Sequence, residues 1–398
     1  MSRLIVSFFA LYVLAGCASL PPPPSTAPCN CAPAAPPPAP PHAAAIWSDL
    51  PGWGGDDLQP AFAAFVASCD TLARKPLWRD TCADARTFPA LGTTPDALRT
   101  WFESRFRPWQ LVNPDGGREG VVTGYYEPFL HGSRQKAAPY LQPIYGVPDD
   151  LLTVDLSDVY PDLKGMRLRG RLVGRRVVPY ASRAEMAAET DARAGQVLYW
   201  TDNAVDLFFM QIQGSGRLQL DDGSVVRLSY ADQNGYPYKS VGKWLVDHGE
   251  MTIDQASLQA IRSWAEANPQ RLQELLNVNP SVVFFREVPL SGDGPPGALG
   301  VTLTPGRSIA VDAKTIPLGA PVWLATTYPQ SDQPLARLML AQDTGGAIRG
   351  PVRADFYWGS GPDAGQQAGR MRQPGRMWVL LPVSAAPGAI TISAAAPK

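Results

Sequence analysis

The stretch from Gly300 to Val383 most constrains what the chain can fold into. Apolar runs at Ser308–Val311, Pro321–Ala325, Leu338–Ala341 and Met377–Pro382 alternate with breaks rich in glycine and proline. Runs this short, closed by turn formers, predict short strands joined by tight turns, as in a small β-barrel. Asp312, Asp343 and Asp355 each sit just after or inside such a run. A carboxylate at a strand end can be held rigidly at a barrel rim, within reach of a substrate. Aspartate also caps turns, but Asp355 fits that role poorly. It lies between Ala354 and Phe356 in RADFYWG, where a turn former is out of place. An acid among apolar side chains has its pKa raised and becomes a proton donor.

The N-terminus sets the compartment. Residues 1–16, MSRLIVSFFALYVLAG, carry one arginine and then an apolar run. The run is shorter than the ~20 residues of a spanning helix and reads as a signal peptide. It ends Leu14-Ala15-Gly16-Cys17, which resembles the lipobox of bacterial lipoproteins, with Cys17 as the lipidated first residue. Ala18 is not the aspartate that typically retains lipoproteins at the inner membrane, so the resemblance implies the outer membrane. Residues 17–47 then form a proline-rich tether that cannot bury a core and predicts an extended, polyproline-like segment. Much of the chain's total of 41 prolines is concentrated there.

Cysteine and histidine usage narrows the chemistry. Cys29 and Cys31 lie in the tether with spacing poor for a mutual disulfide. Cys69 and Cys82 flank a segment between two expected helices, either as a disulfide in an oxidising compartment or as two buried thiols. The chain has only three histidines, His42, His131 and His248, and no Cys/His cluster with zinc spacing, so neither a metal nor a cofactor is expected. Charge is balanced, with 35 basic and 36 acidic residues, and nothing argues for a nucleic-acid partner.

Within the folded part, Phe62, Phe65, Val66, Cys69 and Leu72 recur at helical spacing, as do Leu98, Trp101, Phe102 and Phe106. Both stripes predict core-facing helices between Asp57 and Arg107. Val121 to Tyr126 reads as a strand stopped by Pro128. On it Tyr125 and Tyr126 face opposite ways, so one can be core while the other lines a groove, where rings stack on sugar C–H faces. From Pro139 to Leu228 short strands and turns are expected. In DLFFMQIQGSG, Phe208, Met210 and Ile212 alternate with Phe209, Gln211 and Gln213, predicting a strand with glutamines on one face that ends at Gly214-Ser215-Gly216. Such amides and exposed backbone suit hydroxyl and acetamido groups. A helix entering near Ser240, helices over 254–268 and 269–276, and a strand over 281–288 complete the pattern.

TGYYEP (123–128), FFMQIQGSG (208–216), QNGYPYKSVGKWLVDHGE (233–250), NPSVVFF (279–285) and the stretch 300–382 together resemble the membrane-bound lytic murein transglycosylase A family. The resemblance covers nearly the whole body from Thr123 to Pro382. It implies a mainly β fold with N-terminal helices: a double-psi β-barrel with a second β-rich domain inserted and a groove between them. The barrel and helical part would take residues 48–129 plus 281–383, with the three-aspartate domain at 300–382. The insertion would take 130–280, and 384–398 would be a tail.

The family's activity is implied in the same way. Such enzymes cleave the β-1,4 bond between N-acetylmuramic acid and N-acetylglucosamine in peptidoglycan and leave 1,6-anhydro ends. The sugar's C6 hydroxyl is the nucleophile, so one carboxyl can act as acid and then as base where ordinary glycosidases need two. The motif position gives that role to Asp355. Asp343 would bind sugar or orient Asp355, and Asp312 would be structural or at the rim. Tyr125, Tyr126, Gln211, Gln213, Gly214, Ser215 and Gly346 would bind saccharide. Implied partners are peptidoglycan glycan strands, outer-membrane lipid through Cys17, and a cell-wall synthesis complex. Two other functions remain: a hydrolase with Asp343 activating water, and a non-catalytic wall-binding lipoprotein. The presence of both Asp355 and Asp343 argues against the last.

Overall fold

The computed structural model describes residues 39–89, 94–164, 166–253 and 255–385. The signal peptide, Cys17, Cys29, Cys31, most of the tether and the tail beyond residue 385 lie outside the described residues. The tether does not run free to residue 47. A short strand β1 (His42–Ala44) pairs antiparallel with Trp109–Leu111 of β2 (Phe106–Leu111), and His42 bonds the Thr315 carbonyl at 3.0 Å. An open strand edge accepts any extended segment, and this segment's small alanines fit against it.

Between β1 and β2 lie α1 (Leu58–Leu72), α2 (Pro76–Thr87) and α3 (Pro95–Arg105). Asp57 caps α1 by accepting from Gln59 N, and Thr94 caps α3 by accepting from Ala97 N. Proline occupies the first turn of α2 and α3, where its missing N–H costs nothing. The expected stripes are buried together, with Phe62 and Trp101 edge-to-face at 4.9 Å. Cys69 and Cys82 form a disulfide that pins α1 to α2. The helix α2 lies within the stretch from Asp57 to Arg107 that the sequence reads as helical, although its few apolar residues between charged ones give it no stripe of its own.

The chain then enters β3 (Gly120–Glu127) and leaves for β4 (Phe129–Ser133), β5 (Gln142–Tyr145), β6 (Leu152–Thr153), β7 (Arg169–Val173), β8 (Arg176–Pro179), α4 (Arg183–Ala188) and β9 (Val197–Thr201). Next come α5 (Ala204–Gln213), β10 (Ser215–Leu220), β11 (Val225–Gln233), α6 (Val241–Asp247), α7 (Leu258–Ala267), α8 (Leu272–Asn277) and β12 (Val283–Val288). It finishes through β13 (Ser308–Val311), β14 (Pro321–Thr327), β15 (Pro334–Asp343), β16 (Arg353–Ser360), α9 (Gly361–Arg370) and β17 (Arg372–Pro382). Pairing follows that excursion. The strands β17, β14, β15, β13, β16 and β3 pair in a ring, because β3 bonds β16 on one edge and β17 on the other. The strands β4 to β12 pair only among themselves, in sheets of six and three strands. Val122, Ile309, Val311, Val322, Leu324, Leu340, Ala354 and Phe356 fill one core with the helices α1 to α3. Each such large side chain contributes ~1.5–3 kcal/mol by leaving water.

DLFFMQIQ is the helix α5, not a strand. Asn203 accepts from Val205 N and Asp206 N at its start, and Gly214 ends it in the left-handed conformation at φ 80°. The alternation misled because α5 is buried on two sides. Leu207 and Met210 join the six-stranded sheet's core, while Val205, Phe208 and Phe209 join a core made with α6, α7 and α8. A helix apolar nearly all round shows no clean 3.6-residue stripe. Gln211 and Gln213 are therefore two helical positions apart, about 200° around the axis, and do not share a face.

Candidate active site

Strand alternation builds the site. On β16, Ala354 and Phe356 point into the main core, so Arg353, Asp355 and Tyr357 point to the opposite face. On β3, Val122 points inward, which turns Thr123 and Tyr125 the other way. Tyr125 and Tyr357 pack with ring centroids 5.2 Å apart.

Register makes a row of this face. Asp355 lies opposite Thr123 on one side and Ala310 on the other. Thr123 lies opposite Arg372, and Ala310 lies opposite Asp343. The last pairing depends on a bulge: Ile309 pairs with Ala341, and the register then skips Gln342. Without it Gln342 would stand level with Ala310. Instead Gln342 turns inward, fully buried, and donates to Ser68 Oγ at 2.9 Å and the Ala64 carbonyl at 3.0 Å. The bulge thus aims Asp343 at the face that carries Asp355.

The two carboxyls meet neutral donors. Asp355 Oδ1 accepts from Thr123 Oγ1 at 2.6 Å, and Thr123 Oγ1 in turn accepts from Arg353 Nη2 at 2.8 Å. Arg353 fixes the direction of that hydroxyl, since its own N–H fills the oxygen and leaves Thr123's single proton for Asp355. Asp343 Oδ1 accepts from Ala298 N at 2.9 Å and Oδ2 from Tyr125 Oη at 3.1 Å. Burial pushes both pKa values up. For Asp355 it outweighs the Thr123 bond and the Arg353 charge, which pull down. For Asp343 burial outweighs the Ala298, Thr344 and Tyr125 bonds, the Asp355 charge adds to it, and the pKa reaches about 6. The Tyr125 hydroxyl is held well above its usual value by burial and then by the Asp343 and Asp355 charges, so it stays a donor.

The other expected site residues are placed differently. Asp312 follows β13 and spends both oxygens on backbone, accepting from Lys314 N at 3.0 Å and Gly350 N at 2.8 Å. Tyr126 is as buried as Tyr125 but on the other face, beneath Ala364 and Ala368 of α9. That helix sits close because Gly124 has no Cβ; one there would come within 2.8 Å of Ala368 Cα. Gln213 Oε1 accepts from Tyr126 N at 3.0 Å, tying α5 to β3. Gln211 is turned instead to Arg183 Nη2 at 2.6 Å. Gly214 caps α5, Ser215 opens β10, and Gly346 lies exposed in the loop after β15. Among the described residues no group of three or more His, Cys, Asp or Glu could hold a metal ion.

Three contributors were missed. Thr123 and Arg353 stand two residues or one register step from recognised residues, so alternation along TGYY and RADFY could have found them. The Ala298 N–H comes from the long connection between β12 and β13 and has no sequence signal. Also missed was Glu127, at the end of β3, which is fully buried and accepts from Arg217 Nε, Arg227 Nε and Ser360 Oγ at 2.7–2.8 Å. It joins the ring of strands to β10 and β11 of the six-stranded sheet.

Comparison with known proteins bears on this geometry. The profile described as the MltA specific insert domain matches residues 121–286, and that of the 3D domain matches residues 307–381. The chain is 36% identical over 290 residues to the membrane-bound lytic murein transglycosylase A of Escherichia coli (strain K12), covering 71% of this chain and 70% of the relative. The crystal structure of MltA from Neisseria gonorrhoeae in its monoclinic form is 37% identical, with TM-score 0.74 over 87% of this chain and 93% of that one. The crystal structure of E. coli MltA with bound chitohexaose is 29% identical, with TM-score 0.63 over 82% of this chain and 90% of that one.

Proposed function

Because the chain belongs to the membrane-bound lytic murein transglycosylase A family, we propose that Asp355 carries its peptidoglycan lytic transglycosylase activity, first as acid and then as base. The bond cut is the β-1,4 link from N-acetylmuramic acid to N-acetylglucosamine. One observation carries the assignment: among the described residues Asp355 is bonded only at Oδ1, by Thr123, whereas both oxygens of Asp343 are filled by donors. A proton on Asp355 therefore has a free oxygen, Oδ2, from which to be given.

The steps balance without water. Asp355 donates its proton to the glycosidic oxygen, the C1–O bond breaks, and the C6 hydroxyl of the same muramyl ring attacks C1. The Asp355 carboxylate recovers the C6 proton, which closes the 1,6-anhydro ring and restores the acid. Asp343 stands two strands over, across β13, and Tyr125 one alternation step beyond Thr123, where a carboxylate and a phenol stabilise positive charge developing at C1. The glycan lies along the face of the row, in a groove between the ring of strands and the inserted sheets. The ring is read as a double-psi β-barrel built from residues 48–129 plus 281–383, with 130–280 inserted. The relative solved with chitohexaose supports a glycan-shaped site. Of the residues expected to bind saccharide, Gln213 supports the wall through Tyr126.

Cys17 is the proposed lipid anchor to the outer membrane, and the relatives' description as membrane-bound supports membrane association. A Cys17→Ser protein should lose palmitate labelling and membrane fractionation. Mass spectrometry of digested sacculi tests the chemistry: anhydro-muramyl ends are expected, hydrated ends would move the chemistry to a hydrolase with Asp343 as base, and no products would leave a binding protein.

A further inference from the structure

The row of the active site does not end at Thr123. Its next member, Arg372 on β17, is exposed, and among the described residues its guanidinium has no hydrogen-bond or ion-pair partner. A cleft of ≈ 280 Å³ opens beside it, lined by Glu119, Gly120, Val121, Arg372, Gln373 and Pro374. The cleft continues the face that carries Asp355. Val121 precedes Thr123 by two residues on β3, and Arg372 and Pro374 lie opposite Thr123 and Val121. Two further features of the lining have no structural use. Among the described residues the Glu119 carboxylate has no hydrogen-bond or ion-pair partner, although Arg372 lines the same small cleft. Val121 is an apolar side chain left 42% exposed. Arg353, by contrast, is engaged by Thr123 and backbone carbonyls; burial lowers its pKa, the Asp355 charge opposes this, and the Arg372 charge adds to it.

An unpaired cation and an unpaired anion flanking an apolar side chain match one chemical class. We propose that this cleft holds the peptide stem of the muramyl residue being cut, with a stem carboxylate on Arg372, a stem ammonium on Glu119 and an alanyl methyl against Val121. A stem that carries both free charges complements such a cleft, whereas an uncharged glycan leaves both charges unmet. The inference rests on the proposed glycan site, because only a muramyl ring seated at Asp355 brings its stem to this end of the row.

The test compares two substrates with the full-length protein: peptide-bearing glycan strands, and the same strands stripped of stems by an amidase. Arg372→Gln and Glu119→Gln should each raise KM on peptide-bearing strands about tenfold, the loss of one charged contact, and leave stripped strands within about twofold. Arg372→Lys should recover part of the loss. Thermal melts identify any variant that fails to fold, and the double charge swap Glu119→Arg with Arg372→Glu provides a second, charge-conserving probe. Equal effects on both substrates, or none on either, would overturn the stem assignment. If the wild type forms no anhydro ends on either substrate, it is the reading of the site itself that fails, an outcome distinct from loss of stem preference.

Discussion

Two carboxyl groups on the strand pair β3–β16 meet opposite fates. Glu127, at one end, is fully buried and clasped by two guanidiniums and a hydroxyl. Asp355, four residues along the partner register from it, has its direct bond from a neutral hydroxyl, with the nearest arginine spent on that hydroxyl instead. Burial costs a carboxylate hydration in both places, wholly at Glu127 and in part at the half-buried Asp355. Where cations repay it, the carboxylate is an ion that fastens two sheets. Where neutral donors repay it in part, the protonated form is favoured and the group can pass a proton. Proximity in the sheet does not decide role; the charge of the partners does.

The largest effect should come from removing the proton carrier. Asp355→Asn preserves size and can still accept from Thr123, but it cannot give and recover a proton. Turnover on sacculi should fall by ~10²–10⁴-fold with glycan binding retained, as read by release of anhydro-muropeptides and by pull-down on the same material. Near-wild-type turnover would move the acid to Asp343. Asp343→Asn should cost less than Asp355→Asn, because Asp343 gives no proton to the leaving oxygen.

Breaking the other side of the comparison should appear in stability. Glu127→Gln leaves Arg227, with 1% of its side chain exposed, buried without a counter-ion. Loss of ~3–5 kcal/mol is expected by denaturant titration. An unchanged midpoint would mean the joint is not held by charge. Asp343 should act on stability through pH. Its folded pKa of about 6 lies above the ordinary 3.8, so the folded state holds the proton more tightly. The stabilisation is fully present below pH ~4 and is lost as pH rises to ~6, on the order of 3 kcal/mol in all. Asp343→Asn should flatten that slope. The smallest effect is expected from the third aspartate: Asp312→Ala gives up two backbone bonds, costing ~1–3 kcal/mol without moving the pH profile.

Four strands of the ring, β13, β14, β15 and β17, are legible as apolar runs separated by breaks rich in glycine and proline; Ser308–Val311 is the whole of β13. The N-terminal helices were legible through two aromatic stripes. Asp355 stands out because its neighbours are apolar, and Asp312, expected to be structural or at the rim, spends both oxygens on backbone N–H groups. What failed was local pattern under two-sided burial: α5 is apolar toward two cores, and six residues of alternation looked like a strand. That alternation puts its glutamines on one face, whereas in the helix Gln211 and Gln213 serve different partners. The bulge at Ile309–Ala310 and the Ala298 N–H also left no mark, since both depend on which segments meet across the fold. Glu127 was passed over because its two arginines lie 90 and 100 residues away in sequence.

The central claim is that Asp355 is protonated when each cycle begins. Its side-chain carbon can be titrated by ¹³C NMR, assigned by the signal that disappears in Asp355→Asn. The account predicts a midpoint clearly above the ~3.9 of a free aspartate. A midpoint at or below the free value would contradict it, because a carboxyl ionised across the working range has no proton to give the glycosidic oxygen.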